Sequence, residues 1–462
     1  MVRFDPVLAE MRFGNGLSPV VGPPASTQQM LDRLAGPDHA AARFPVETFT
    51  QYRERIIRVQ DAWKVRQQQR GSDEAGFARK AVNLEKKAAR LDRLRWLGQQ
   101  MLRRTWTEDS LRERLVGFWA DHFTAQGKAG LLRWSATPYV EEAIRPHVTG
   151  RFADLLVAAT TSPLMLHYLD QYRSYGPNSR RAAQQGGRNG LNENLAREVL
   201  ELHTLGVGAP YDQRDVTALA LLFTGLSYQP EQGFVFRKPM AEPGLHQVLG
   251  VSYGGDQARL QDIVAALRDL ARHPATARHV AQKLAVHFVA DAPPEDLVAH
   301  LAARFLATDG DLMQVTAALL DHPAAWTPEL HNVKPPFDFL SSVARALALP
   351  EDRFDRQNER GLARLLRVPL QEMGQPWESP PGPDGWPEED THWITPQGLA
   401  ARLRWAITWP AMVLPDLPDP RDFATVALGD RVPEPVRFAA MAAENRAEGL
   451  GLILASPAFQ RR

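Results

Sequence analysis

Residues 192–206 concentrate side chains that could perform acid–base or metal chemistry. Their sequence, NENLAREVLELHTLG, contains three glutamates, an arginine and a histidine. Successive residues of an α-helix are rotated by about 100°. On that wheel His203 lies in the middle of the apolar face, whereas Glu198 and Glu201 share a flank. The segment alone is therefore not predicted to be a metal motif of the HExxH kind, in which the ligands share one face.

Two further segments place a histidine inside an apolar stripe. His122 lies in LRERLVGFWADHF, and His287 lies in TARHVAQKLAVHFVAD. A buried imidazole is costly unless its ring nitrogens find partners. For any one of these residues, a hydrogen-bonded core histidine is the ordinary interpretation. Three such histidines in one core make convergence on a polar pocket, a metal ion or a haem more credible, and both interpretations stay open.

These residues lead to a first hypothesis, an enzyme with a His/carboxylate pocket. His122 and His203 would be catalytic groups or metal ligands, and Glu198 would be a catalytic carboxylate beside them. Metal-bound histidines usually need an orienting carboxylate, and Asp121 or Asp170 could supply it instead. The residues assigned to contacts with the cofactor are His287, Trp119 and Lys334.

The kind of cofactor stays open between a metal ion and haem. The chain has no cysteine, so a metal would be held by His, Asp or Glu. No GxGxxG, Walker A, GxSxG or HExxH motif is present, and oxidative chemistry is therefore slightly favoured over hydrolysis. Lys334 precedes a proline-started helix in VKPPFDFL. It could hold an anionic group, or it could be exposed to solvent.

The composition limits the partners and the compartment. The chain has 462 residues, 44% of them hydrophobic, and a formal net charge of zero. Neither nucleic acid nor a membrane is therefore expected as a partner, and no apolar run is long enough to span a bilayer. The N-terminal residues lack an apolar signal-peptide core. This indicates a cytoplasmic protein, with export alongside a partner carrying a twin-arginine signal as the alternative.

Helical periodicity predicts a mainly α fold, a large bundle-like body with one small β-hairpin and a Pro/Trp-rich loop region. Residues 1–104 are expected to form an N-terminal helical region with a basic helical hairpin, solvated rather than bound to nucleic acid. Residues 105–350 would be the central helical core. Residues 351–462 would hold the Pro/Gly/Trp-rich loop and the closing helices.

Shorter elements can be predicted from turn and cap residues. LSYQP and GFVFR are expected to pair as a hairpin, and GPNSRRAAQQGGRNG is expected to be a mobile loop. Gly206 suits a left-handed helix end. Asp212 and Asp215 suit a capping box at the start of the next helix.

Several longer motifs occur in order along nearly the whole chain. They are FWADHFT, SPLMLHYLD, GLNENLAREVLELHTLGVGAPYDQRDVTALALLFTGL, HPATARHVAQKLAVHFVADAPPEDL, MGQPWESPPGPDGW and LILASPAFQRR. Together they resemble the bacterial family catalogued as domain of unknown function 1800. The resemblance implies a helical protein and no established activity.

The resemblance also suggests a second hypothesis. Members are often encoded beside a sulfatase-like protein that commonly carries a twin-arginine export signal. The chain would then be a non-catalytic scaffold or chaperone for this co-encoded partner. Ser162 and Ala241 stand where relatives carry histidines. If those histidines are ligands in relatives, the site in this chain is altered or lost.

Overall fold

The structure is a computed structural model that describes residues 4–186 and 190–462. It is mainly α-helical, which confirms the predicted fold class. Up to the first strand, the α-helices are α1 Pro6–Leu8, α2 Thr27–Ala35, α3 His39–Arg43, α4 Phe49–Gln68, α5 Asp73–Trp106, α6 Ser110–His122, α7 Ala136–Tyr139, α8 Phe152–Thr161, α9 Pro163–Tyr168, α10 Arg180–Gln184, α11 Asn194–Glu198 and α12 Gln213–Phe223.

Four strands follow and then helices again to the end of the described chain. The strands are β1 Leu226–Gln229, β2 Gly233–Phe236, β3 Gly244–Val248 and β4 Val251–Gly255. The remaining α-helices are α13 Leu260–Arg272, α14 Pro274–Phe288, α15 Glu295–Ala307, α16 Leu312–Asp321, α17 Pro336–Ala346, α18 Glu359–Leu362, α19 Val368–Glu372, α20 Asp390–Trp393, α21 Pro396–Val413, α22 Pro420–Leu428, α23 Glu434–Ala442, α24 Arg446–Ala455 and α25 Pro457–Gln460.

The strands form two separate antiparallel hairpins. In the first, β1 pairs with β2 so that Leu226 lies opposite Phe236, which confirms the predicted hairpin. The second, β3 with β4, was not predicted. Its turn is Leu249–Gly250, with a positive φ at both residues, and its strands include three glycines and a histidine. Glycine has a low strand propensity, so the sequence did not indicate these strands.

Helices α4 and α5 form a long antiparallel hairpin at the N-terminal side. The break lies where the sequence predicted it, because Ser72 caps α5 after the turn that contains Gly71. In α4, Phe49, Tyr52 and Ile56 are the buried residues, and all lie in its first half. The far half of the hairpin therefore projects from the body into solvent.

Two hydrophobic cores build the body. The larger joins α6, α8, α12, α13, α14 and α15, and the smaller joins the end of α5 with α17, α21 and α24. Fully buried Arg345 of α17 lies between the N-terminal segments and the second core. Its guanidinium donates to the carbonyl oxygens of Gly16, Arg104, Thr105 and Thr107, and its Nη2 donates to the buried carboxylate of Glu10 at 3.4 Å, so its donors are satisfied inside the protein.

Residues 192–206 do not form one continuous α-helix. Helix α11 ends at Glu198 and continues as a wider π turn, Val199–His203. His203 remains buried, as its apolar face predicted. The predicted caps are confirmed. Gly206 has a φ of 94°, and Asp212 and Asp215 form a capping box on α12.

Gly206 is expected to resist substitution more strongly than its neighbour Gly208. Both have positive φ, which costs other residues about 1–2 kcal/mol. A Cβ on Gly206 would also lie 2.9 Å from Nδ1 of His279, whereas one on Gly208 would meet open space. Gly206→Ala should therefore lower the free energy of unfolding more than Gly208→Ala, as measured by chemical denaturation. Equal losses would contradict the contact with His279.

Two sequence expectations concern loops and membranes. The predicted mobile loop, residues 176–190, contains the short helix α10, and its residues 187–189 lie outside the described part of the chain. Among the helices of residues 4–186 and 190–462, none is both long and apolar enough to cross a membrane.

Candidate functional site

A cavity of about 210 Å³ lies between the two cores. Helices α5, α6 and α7 and the start of α17 line it on several sides. Another side is formed by residues 374–389 of the segment between α19 and α20, here named the tryptophan loop. The aromatic residues around the cavity are Phe118, Tyr139, Phe337, Trp377, Trp386 and Trp393. The cavity therefore combines apolar walls with a small set of charged groups, as ligand sites commonly do.

Asp121, in the last turn of α6, is the first of these charged groups. Its Oδ1 accepts the backbone N–H of Trp386 at 2.8 Å. Burial raises the pKa of the carboxyl to about 7, against the lowering by that N–H, and the charge of Glu388 adds to the rise. Asp121 is therefore divided between its neutral and ionised forms near neutral pH.

The tryptophan loop approaches Asp121 closely at Gly385. This residue has a φ of 85°, and a Cβ on it would lie 2.5 Å from Oδ2 of Asp121. A side chain would therefore push the loop away from the carboxyl. Glycine at this position permits the hydrogen bond from the next residue, Trp386.

A chain of three hydrogen-bonded side chains lines another part of the cavity. Nδ1 of His287 lies 2.7 Å from Oε1 of Glu388, and Nε2 lies 3.1 Å from a guanidinium nitrogen of Arg114. Burial lowers the pKa of His287 to about 4, so the imidazole is neutral at pH 7. Its Nδ1–H then donates to Glu388, and its Nε2 accepts from Arg114.

Glu388 is ionised, in contrast to Asp121. Burial alone would raise its pKa, but His287 and Arg462 lower the pKa to about 2. The two carboxyl groups of one cavity thus have opposite pKa shifts. Such a pair can divide the roles of proton donor and proton acceptor between its members.

Asp338, from α17, organises the arginines on the cavity wall. Its carboxylate forms ion pairs with Arg104 and Arg462, and Nε of Arg114 lies 3.8 Å away. Although burial opposes ionisation, these three guanidiniums hold the pKa of Asp338 well below its usual range. Asp338 is therefore a counter-ion shared by three arginines, and Glu388 supplies a second carboxylate 3.6 Å from Arg462.

The three histidines predicted to face the core do so, but they do not meet at one point. Nε2 of His122 donates to the carbonyl of His203 at 3.2 Å, and their ring centroids are 6.2 Å apart. His279, which the sequence analysis did not select, lies 6.1 Å from His122. His287 lies apart, in the cavity. Within the described ranges, no group of three or more His, Asp or Glu side chains is arranged to hold a metal ion.

Nearly the whole chain matches the model of one known protein family. A family model described as Protein of unknown function (DUF1800) matches residues 12–461. The chain belongs to this family. Comparison with curated proteins and with solved structures gives no match. The two positions at which the family resemblance suggests histidines lie in the interior of this DUF1800 chain. Ser162 joins α8 to α9, and Ala241 packs near Gly225, both away from the residues that line the cavity.

The other residues selected from the sequence of this DUF1800 chain lie outside the cavity lining. Glu198 is half-buried, and burial together with Glu201 and Asp384 raises its pKa to about 6. Trp119 is a core residue whose ring packs edge-on against His122 at 5.3 Å. Its assignment to a cofactor stays a prediction.

Lys334 is buried, so the interpretation that it is exposed to solvent is wrong. Its Nζ lies 4.2 Å from the ring centroid of Phe459. Burial lowers its pKa to about 7, and Arg114 and Arg462 contribute through like charge while Asp338 opposes them. The helix after Lys334 starts at a proline as predicted, Pro336, with Pro335 as its N-cap, but the lysine points into the protein instead of toward water.

Most of the charged residues at the cavity are not evident from the sequence alone. Asp121 was considered only as an orienting carboxylate, and Glu388, Asp338 and Arg462 were not selected. Glu388 follows the family motif MGQPWESPPGPDGW, Asp338 lies in VKPPFDFL, and Arg462 ends the family motif LILASPAFQRR. A charged residue inside an otherwise apolar or proline-rich motif was the available signal, because burying such a charge requires a partner.

Proposed function

We propose that this DUF1800 chain is an enzyme that performs acid–base chemistry on a small molecule in its His/carboxylate cavity. The observation that carries the proposal is the placement of Asp121 and Glu388 in one cavity with opposite pKa shifts. The tryptophan loop connects the two carboxyl groups. The backbone N–H of Trp386 donates to Asp121, and Glu388 is itself a residue of the loop.

The roles follow from the protonation states. Asp121, with a pKa of about 7, can donate or accept a proton at neutral pH, where such a group is most effective. Ionised Glu388 offers a second carboxylate, which His287 and Arg114 hold in place. Nε1 of Trp377 is buried without a hydrogen-bond partner within the described structure. It is therefore available to donate to an oxygen of the bound molecule.

The test begins with a panel of small carboxylates, phosphates and carbonyl compounds screened by thermal shift. Turnover of any compound that binds is then followed by NMR. Ala136→Phe, which fills the cavity, should abolish binding. Asp121→Asn should retain binding and lower turnover by about 10²- to 10⁴-fold. Unchanged turnover in Asp121→Asn, or binding that Ala136→Phe does not affect, would contradict the proposal.

The oxidative, metal- or haem-dependent form of the proposal uses other residues. It is supported by His122 and His203, whose Nδ1 atoms are buried and lack partners within the described chain. These two imidazoles would be the ligands, and Glu198 would be the nearby carboxylate predicted from the sequence. Metal analysis and a visible spectrum of the purified protein test this form. The absence of both a stoichiometric metal and a Soret band would rule this form out.

A second candidate function is the non-catalytic scaffold for a co-encoded, exported sulfatase-like protein. One observation favours it. Leu399, Leu403 and Ile407 are exposed at helical spacing along α21, and an exposed apolar stripe of this kind often marks a protein interface. Co-purification with the neighbouring gene product should be stable for the wild type and lost for Leu403→Asp. A complex that Leu403→Asp leaves intact would remove this support.

A further inference from the structure

The far end of the α4–α5 hairpin has a charge unlike that of the whole protein. The hairpin tip, residues 61–88, contains seven lysines and arginines and four acidic residues, although the whole chain has a net charge of zero. Charges separated by more than about 10 Å are largely screened at physiological salt. A ligand at the tip therefore responds to the local surplus of three positive charges and not to the neutral total.

Ion pairs engage two of the four acidic residues of the tip. Asp61 pairs with Lys64 at 2.8 Å, and Glu85 pairs with Arg58 at 2.6 Å. Among the described residues, no carboxylate forms an ion pair with the remaining cationic side chains of the tip. These are Arg66, Arg70, Arg79, Lys80, Lys86 and Lys87.

An exposed apolar stripe runs along α5 beside these charges. Phe77, Ala81, Leu84 and Ala88 occur at positions i, i+4, i+7 and i+11, which share one face of a helix. Phe77 and Leu84 are each 67% exposed, and Trp63 of α4 is 39% exposed. The stripe is separate from the face of α5 that packs on α4, which consists of Ala78, Val82 and Ala89.

Two cationic side chains adjoin the apolar residues directly. Lys80 lies over the ring of Phe77 with Nζ 5.7 Å from its centroid, and Arg66 lies over the ring of Trp63 at 4.8 Å. Lys87 occupies the same flank of the stripe as Lys80, seven residues further along the helix. The result is a projecting helix with bulky apolar side chains bordered by lysine and arginine.

We propose that the hairpin tip binds the surface of an anionic lipid bilayer. Phe77 and Leu84 enter the headgroup region, and Lys80 and Lys87 contact the anionic headgroups. Helices with a Phe/Trp/Leu face and a basic border bind membrane interfaces in this way. Nucleic acid would be attracted by the same charge, but it would give no reason for the exposure of Phe77 and Leu84. The proposal is independent of the cavity and its chemistry.

Vesicle flotation of the purified full chain tests the proposal. The protein should float with vesicles made of equal parts phosphatidylcholine and phosphatidylglycerol, and not with phosphatidylcholine alone. Added salt should weaken the binding. Lys80→Glu/Lys87→Glu should lower the partition coefficient by at least about 30-fold, because each lysine near an anionic surface contributes about a factor of five. Phe77→Ser/Leu84→Ser should also lose binding.

Matched controls separate the tip from general surface effects. Phe438, on α23, is 66% exposed, and Lys238 is an exposed lysine outside the tip. Phe438→Ser and Lys238→Glu should leave flotation unchanged, and circular dichroism should show the same helix content in all variants. Absence of flotation by the wild type, or equal losses in the controls, would overturn the proposal. So would tight binding of duplex DNA that Phe77→Ser/Leu84→Ser retains in full.

Discussion

Replacing Asp338 by asparagine is expected to lower the free energy of unfolding by about 3–5 kcal/mol. The carboxylate is buried and faces the guanidiniums of Arg104, Arg114 and Arg462. Asparagine keeps the shape and removes the charge, so three neighbouring arginines lose their shared counter-ion. Urea denaturation of the wild type and the variant, followed by circular dichroism, measures the difference.

Asp309→Asn is the matched control. Asp309 also pairs with two arginines, Arg151 and Arg272, but all three side chains are largely exposed. Exposed ion pairs contribute about 0–1 kcal/mol, and asparagine tolerates the positive φ of this position. A loss in Asp338→Asn no greater than that in Asp309→Asn would show that the buried cluster does not depend on its carboxylate.

Acid should act on the same cluster. Because the arginines lower the pKa of Asp338 below its unfolded value of 3.8, its contribution to stability is present above about pH 4. The contribution decreases as the pH falls below that value. The wild type should therefore lose more stability than Asp338→Asn on acidification.

Asp121→Asn is expected to stabilise the protein at pH 8 by about 4 kcal/mol while lowering the proposed activity. The pKa of Asp121 is raised from 3.8 to about 7 in the folded state. A raised pKa means that stability is fully present below about pH 4 and is lost as the pH rises to 7. At about 1.4 kcal/mol per pH unit, the loss reaches about 4 kcal/mol. Asparagine is neutral at every pH, so the variant avoids this loss of stability.

The measurement is the free energy of unfolding of both proteins from pH 4 to pH 8. The difference between wild type and variant should grow steadily across this interval and level off above pH 7. Asparagine Oδ1 can still accept the N–H of Trp386, so the loop contact is retained. Parallel curves would mean that the folded protein does not raise the pKa of Asp121.

Local features of the fold could be predicted because neighbouring residues determine them. The capping box of Asp212 and Asp215, the left-handed Gly206 and the β1–β2 hairpin each depend on a few adjacent positions. The π turn Val199–His203 could not be predicted, because its sequence has the same apolar pattern as an α-helix. The second hairpin was missed because strand propensity is weak in glycine-containing segments.

The site was less predictable because its contacts join distant segments. Trp386 donates to Asp121 across 265 residues, and His287 reaches Glu388 across 101. Helical periodicity correctly predicted that His287 faces the interior. The same pattern contains no information about which loop covers His287. The sequence left open whether His122, His203 and His287 converge on one point, and helical periodicity could not decide between the two interpretations for the same reason. Each faces the core, but Phe118 packs against His122 on one side and His287 on the other.

Because Gly385 packs so closely against Asp121, a substitution at this one position would change the pKa of both Asp121 and Glu388. If the tryptophan loop were held off by a methyl group at Gly385, Asp121 would lose the N–H of Trp386. Glu388, three residues further along, would be drawn away from His287. The pKa of both carboxyl groups would then rise. The protonation of the cavity could thus be altered by a change at an uncharged residue that does not line it.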